Sequence, residues 1–130
     1  MLKIEIIDKN RIKSDFNLDG AKKNAKKICA VLNYKDQAIA EVFFVTDEEI
    51  KKINKKFRKI NKVTDVLSFP IDKKIPGKAK ILGTIFIAPI FAKAEKISCN
   101  KLFNHGLLHL FGFDHKKNLD IWNKIDKSLN

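Results

Sequence analysis

The chain's three histidines, His105, His109 and His115, all lie in the stretch Asn104 to His115, which reads N-H-G-L-L-H-L-F-G-F-D-H. His105 and His109 are four apart, so on a helix they share one face, one turn above the other. Two imidazoles so placed can reach one metal ion. Gly112, three residues after the second histidine, can end such a helix in a left-handed conformation because it has no Cβ. A chain turned there can bring His115 back as a third ligand. Three protein nitrogens with one position left open is the pattern of a catalytic zinc site rather than a structural one, and such a zinc brings the pKa of water to roughly 7. A lone histidine pair on an apolar helix is more often packed core. What favours metal is the coincidence of the pair, the glycine and the third histidine. One Zn2+ per chain is therefore the expected cofactor.

The same histidine spacing occurs in metzincin peptidases, H-E-x-x-H-x-x-G-x-x-H, which use the Glu after the first histidine as general base. Here Gly106 stands at that place and cannot take a proton. A zinc-dependent metalloprotease would need its base from elsewhere. Asp114 could orient a ligand imidazole, cap the turn or act as a base; the first two roles are favoured, and the general base is left unassigned.

The elements that must position this stretch are legible in outline. Leu2 to Ile7 alternates and reads as a strand. Leu18 to Leu32 reads as an amphipathic helix, with Ala21, Ala25, Ile28, Cys29 and Leu32 inward and Lys22, Lys23, Lys26 and Lys27 outward. Ala38 to Val45 is an apolar run suited to a sheet interior. Thr46 with Glu49 is a capping-box signature, opening a helix whose buried positions are Ile50, Ile53 and Phe57. Val66 to Phe69 reads as a short strand ended by Pro70. Residues 72–80 are turn-rich. Ile81 to Ala88 is a further strand, and Pro89 suits the first turn of a helix running to about Ile97. The histidine helix covers about Cys99 to Phe111. A last helix, from about Asn118, buries Leu119, Trp122, Ile125 and Leu129. Strands and helices do not strictly alternate, so the expected class is α+β: a small mixed sheet of about four strands covered by helices, within one domain over residues 1–130.

Composition narrows the setting. The formal charge of +12 favours anionic partners, RNA before others. Yet nearly all the basic residues are lysine, in a chain also rich in Asn and Ile, which looks like a composition bias shared by many proteins of one cell. Charge thus supports nucleic acid only modestly. The first residues carry charges within a short apolar run, so neither a signal peptide nor a membrane span is expected, and the cytoplasm is the default location. Cys29 and Cys99 have no metal-type spacing and read as free, buried thiols.

Taken together, the motifs resemble the YbeY family of bacterial endoribonucleases. His105-Gly-Leu-Leu-His109-Leu-Phe-Gly112-Phe-Asp114-His115 is similar to that family's H-G-x-x-H-L-x-G-x-D-H signature at every defined position. Upstream, Phe57-Arg58-Lys59 leads through a short loop into Thr64-Asp65-Val66-Leu67-Ser68-Phe69-Pro70, and Leu82-Gly83-x-Ile85 is a weaker third match. The family usually carries Asp after the strand glycine, where this chain has Thr84, and the tail after His115 is short and lacks the usual acidic residues. The resemblance implies a zincin-like helix with zinc on His105, His109 and His115, and Arg58 as the catalytic residue facing the same cleft. It also implies single-strand-specific cleavage of RNA, maturation of the 3′ end of 16S ribosomal RNA and ribosome quality control. The implied partners are ribosomal RNA, the small ribosomal subunit and an Era-type GTPase, with no membrane and no DNA. A planar guanidinium can grip two phosphate oxygens, which suits Arg58 to such a role. Two other readings are a zinc peptidase and a non-catalytic ribosome-associated factor with a structural metal.

Overall fold

The computed structural model describes residues 1–73, 76–114 and 118–129. Along them run β1 (Leu2–Ile7), α1 (Leu18–Val31), β2 (Ala38–Phe44), α2 (Asp47–Arg58), β3 (Val66–Lys73), β4 (Lys80–Ile87), α3 (Pro89–Ala94), α4 (Cys99–Leu110) and α5 (Leu119–Leu129). The strands form one sheet in the order β1-β2-β4-β3. β1, β2 and β4 are parallel, and β3 returns antiparallel to β4. This is the α+β arrangement and four-stranded mixed sheet that the pattern of elements predicts.

Period-two alternation assigns the faces. Ala38, Ala40, Val42 and Phe44 of β2 are buried on one face, in register with Ile4 of β1 and with Gly83, Ile85 and Ile87 of β4. That face forms the larger core, together with Ala25 and Ile28 of α1, Phe103 and Leu107 of α4, and Trp122 and Ile125 of α5. On the opposite face, Phe43, Leu67, Phe69 and Phe86 pack with Ile50 and Ile53 of α2 in a smaller core. The four lysines of α1 point to solvent as expected.

Two glycines let α4 lie unusually close to the sheet. A Cβ at Gly106 would stand 2.9 Å from Ile85 Cγ2, and one at Gly83 would stand 2.5 Å from Leu110 Cδ2 and 2.6 Å from the Phe69 carbonyl oxygen. Side chains at these places would have to push the helix off β4.

Several expectations need correction. β3 does not stop at Pro70 but continues to Lys73. It is an edge strand, so a proline without an N–H removes no bond that a further strand would use. Phe57 is 59% exposed rather than buried, because it lies one turn beyond Ile53, the last residue of α2 in the smaller core, and meets β3 only through the edge of Phe69. Leu119, the first residue of α5, is 47% exposed. α3 ends at Ala94 instead of near Ile97, since Lys96 takes a left-handed conformation with φ 59°. The Ile97 N–H then donates to the Ala92 carbonyl at 2.9 Å, so Ile97 returns to the core by a turn. Cys29 is only half-buried, while Cys99 is buried; both are free.

Candidate metal centre

α4 is pinned at its start before it presents any histidine. The Ser98 hydroxyl accepts from the Lys101 N–H at 3.1 Å as N-cap. The Cys99 N–H donates to Asp15 Oδ1 at 3.0 Å, and Asn100 exchanges two hydrogen bonds with the backbone of Asn17. Burial, and then the Asp15 carboxylate, push the Cys99 thiol up to about 12, so it is a packing residue and not a nucleophile.

At its other end the helix is closed by the turn that Gly112 allows. Gly112 has φ +88°. Its N–H donates to the His109 carbonyl at 2.9 Å and the Phe113 N–H to the Leu108 carbonyl at 3.0 Å, the paired bonds of a Schellman motif. Phe113 packs back on the larger core. Two residues further, the Asp114 N–H donates to Asn118 Oδ1 at 3.0 Å, and the Asn118 N–H donates to the Asp114 carbonyl at 2.8 Å. These reciprocal bonds tie the exit of the turn to the start of α5. The backbone of Asp114 therefore serves the turn.

Between these ends, His105 is half-buried and His109 exposed, both on the side of α4 that meets Trp122 of α5. Trp122 of α5 touches both: ring centroids lie 5.3 Å from His105 and 5.4 Å from His109, tilted by 54° and 58°. One indole thus backs two imidazoles a helical turn apart. The structure brings these two predicted ligands together; His115 lies outside the described residues. Among the described residues no group of three potential ligands gathers. Two adjacent imidazoles, one of them open to solvent, form a donor pair chemically suited to zinc.

Gly106 shows why a metzincin base is missing here. That position points into Ile85 of β4, and a glutamate there would meet the core rather than a substrate.

Arg58 ends α2, next to Lys59, whose φ of 61° turns the chain out of the helix. Its Nη2 donates to the Ser68 carbonyl of β3 at 3.0 Å, and its guanidinium carbon lies 5.3 Å above the Phe69 ring centroid. The loop beyond is held by Asn54, 5% exposed, whose Nδ2 donates to the Lys62 carbonyl at 3.0 Å. α4 packs across β3 and β4, so Arg58 is anchored to a strand that the histidine helix crosses. Among the described residues its partners are Ser68 and Phe69, and neither histidine is one of them. Thr84 donates to Glu41 Oε1 at 3.1 Å.

Sequence reasoning missed the roles of Trp122, Asn54 and Ser68. Trp122 was legible only as an apolar position. Asn54 left a faint signal, a polar residue inside the apolar stripe of Ile50, Ile53 and Phe57. The part of Ser68 is played by its backbone, which no residue type announces.

The profile of the family described as Endoribonuclease YbeY matches residues 4–125. The Endoribonuclease YbeY of Aliarcobacter butzleri is 40% identical over 111 residues, covering 79% of this chain and 75% of that protein. The Endoribonuclease YbeY of Lacticaseibacillus casei is 30% identical over 128 residues, covering 88% and 84%. A Thermotoga maritima protein solved in solution is similar in fold, with a TM-score of 0.53 and 24% identity over 99% of this chain and 87% of that one.

Proposed function

The chain belongs to the YbeY endoribonuclease family, and from that membership we propose that it is a zinc-dependent endoribonuclease that cuts single-stranded RNA. The observation that carries the zinc reading is the pair His105 and His109, set side by side against Trp122 on a helix closed by the Gly112 turn. His115 completes the set in this proposal: it follows Asp114, whose backbone is tied to Asn118. When bound, zinc supplies Lewis acidity that brings water to a pKa of roughly 7.

The protein's own residues supply the rest. Trp122 limits how far the two imidazoles can turn, so the ligands are oriented in advance. Arg58 spends one N–H on Ser68 and rests on Phe69, which leaves its other donors for a phosphate. A guanidinium so held offsets negative charge that grows on the phosphate during cleavage. No general base is assigned. The proposed biological setting is maturation of the 3′ end of 16S ribosomal RNA and ribosome quality control in the cytoplasm, with the small ribosomal subunit and an Era-type GTPase as partners. Among the described residues no helix is long and apolar enough to cross a membrane.

The test compares cleavage of a labelled single-stranded RNA by wild type, His109→Ala and Arg58→Ala, purified side by side, with zinc content measured on each. Wild type is expected to cut with one zinc per chain. His109→Ala should lose both zinc and cleavage. Arg58→Ala should keep zinc while its rate falls by about 100-fold or more, the scale of removing one preorganised charge-stabilising group. Equal cutting by wild type and His109→Ala would remove the histidines from the site. Retained activity in Arg58→Ala would remove Arg58 from the mechanism.

A further inference from the structure

At the end of α2 an aromatic ring stands in the open where the helix has run out of core. Phe57 is 59% exposed. Its ring meets the partly buried Phe69 edge-on, with centroids 5.4 Å apart and planes at 60°, which holds it upright. Lys56 Nζ lies 5.3 Å from the Phe57 centroid, and the guanidinium of Arg58 covers the next ring, Phe69, at the same 5.3 Å. Lys51, Lys52 and Lys55 stand exposed along the same helix. Among the described residues no carboxylate forms an ion pair with any of these cations.

An exposed phenylalanine loses free energy to water unless something covers it. If it merely awaited an apolar protein surface, its neighbours would be expected to be apolar too, because charges are depleted at the centre of such interfaces. Here the two residues that flank it in the chain, Lys56 and Arg58, are cations without carboxylate partners, one over its own ring and one over the ring it leans on. Aromatic faces among lysines and arginines are the arrangement that binds single-stranded nucleic acid: bases stack on rings while phosphates lie along the positive charge. A duplex would offer no free base face.

We propose that Phe57 is a base-stacking residue, taking one unpaired base of the RNA next to the phosphate that Arg58 holds. The proposal rests on the reading of the chain as a nuclease for single-stranded RNA and adds how the single strand is selected. Phe57 and Arg58 are consecutive, and both lean on Phe69, so base and phosphate are gripped from one rigid support. The stacked base fixes the strand, and the adjoining phosphodiester is presented to Arg58.

The test measures Kd by fluorescence anisotropy for a short labelled single-stranded RNA and for the same sequence as a duplex, over a range of salt. It uses wild type, Phe57→Ala, Phe57→Leu and Phe57→Trp. Base–aromatic stacking predicts that Phe57→Ala binds the single strand about ten-fold or more weakly. Phe57→Leu, apolar but without a π face, should be nearly as weak, and Phe57→Trp should match or exceed wild type. The salt slope should be the same in all four, because no charge is removed, and duplex binding should not change. Phe57→Ala within two-fold of wild type overturns the stacking role. So does full binding by Phe57→Leu, which would mean apolar contact alone. If wild type itself does not bind the single strand, the nuclease reading fails along with the stacking; the two failures are thus told apart.

Discussion

On the α4 side of the sheet, helix and strand touch through two glycines, and Phe103, Leu107 and Leu108 are fully buried. On the α2 side the core is thin: it ends with Ile53, and Phe57, Ile60 and Ile71 remain 59%, 49% and 46% exposed. The two sides suit the tasks assigned to them. A metal site tolerates errors of only about half an ångström, so its ligands belong on an element that cannot slide. A grip on RNA must meet many sequences, and a shallow, wet surface with one upright ring serves that better. Rigidity belongs to α4 and accessibility to the end of α2, and both elements rest on the same edge strand, β3.

Three measurements would break or sharpen this contrast. The largest effect is expected from Gly83→Ala, since the new methyl would stand 2.6 Å from a backbone oxygen that cannot swing aside. Overpacking of that kind should destabilise the fold by about 3 kcal/mol or more in urea titration. A loss below 1 kcal/mol would mean that β3 and Leu110 both give way around Gly83 and that the tight side is not tight.

The second concerns Cys99, where the pKa is raised above the ordinary thiol value of 9.0 to about 12. An unfolded chain ionises this thiol near 9.0, whereas the folded one does not until near 12. Its contribution to stability is therefore complete below about pH 9 and declines as the pH rises toward 12. Melting curves across that range should fall more steeply for wild type than for Cys99→Ala. Parallel slopes would show that the start of α4 admits water.

The smallest effect is expected from Phe57→Ala, which should change folding stability by no more than about 0.5 kcal/mol, as for an exposed position. A loss of 2 kcal/mol would instead make Phe57 a true member of the small core and close the comparison.

How much of this was readable beforehand depended on distance along the chain. The Thr46–Glu49 capping box and the left-handed Gly112 are local events and were legible from residue type and spacing. So were the lysine face of α1 and the pairing of His105 with His109. Pro70 misled, because whether a proline ends a strand depends on which edge of the sheet that strand occupies. Phe57 and Leu119 misled because helical periodicity says which side faces inward but not where the sheet beneath stops. Gly106 was read as a missing base; only the sheet showed that it is also the point where α4 and β4 meet.

Trp122 is the chain's sole tryptophan, 3% exposed and in contact with both imidazoles. All of the protein's indole fluorescence therefore arises from behind the histidine pair. Whatever changes the surroundings of those two rings will change the colour or lifetime of that light. The protein carries its own optical reporter of the site, with no label attached.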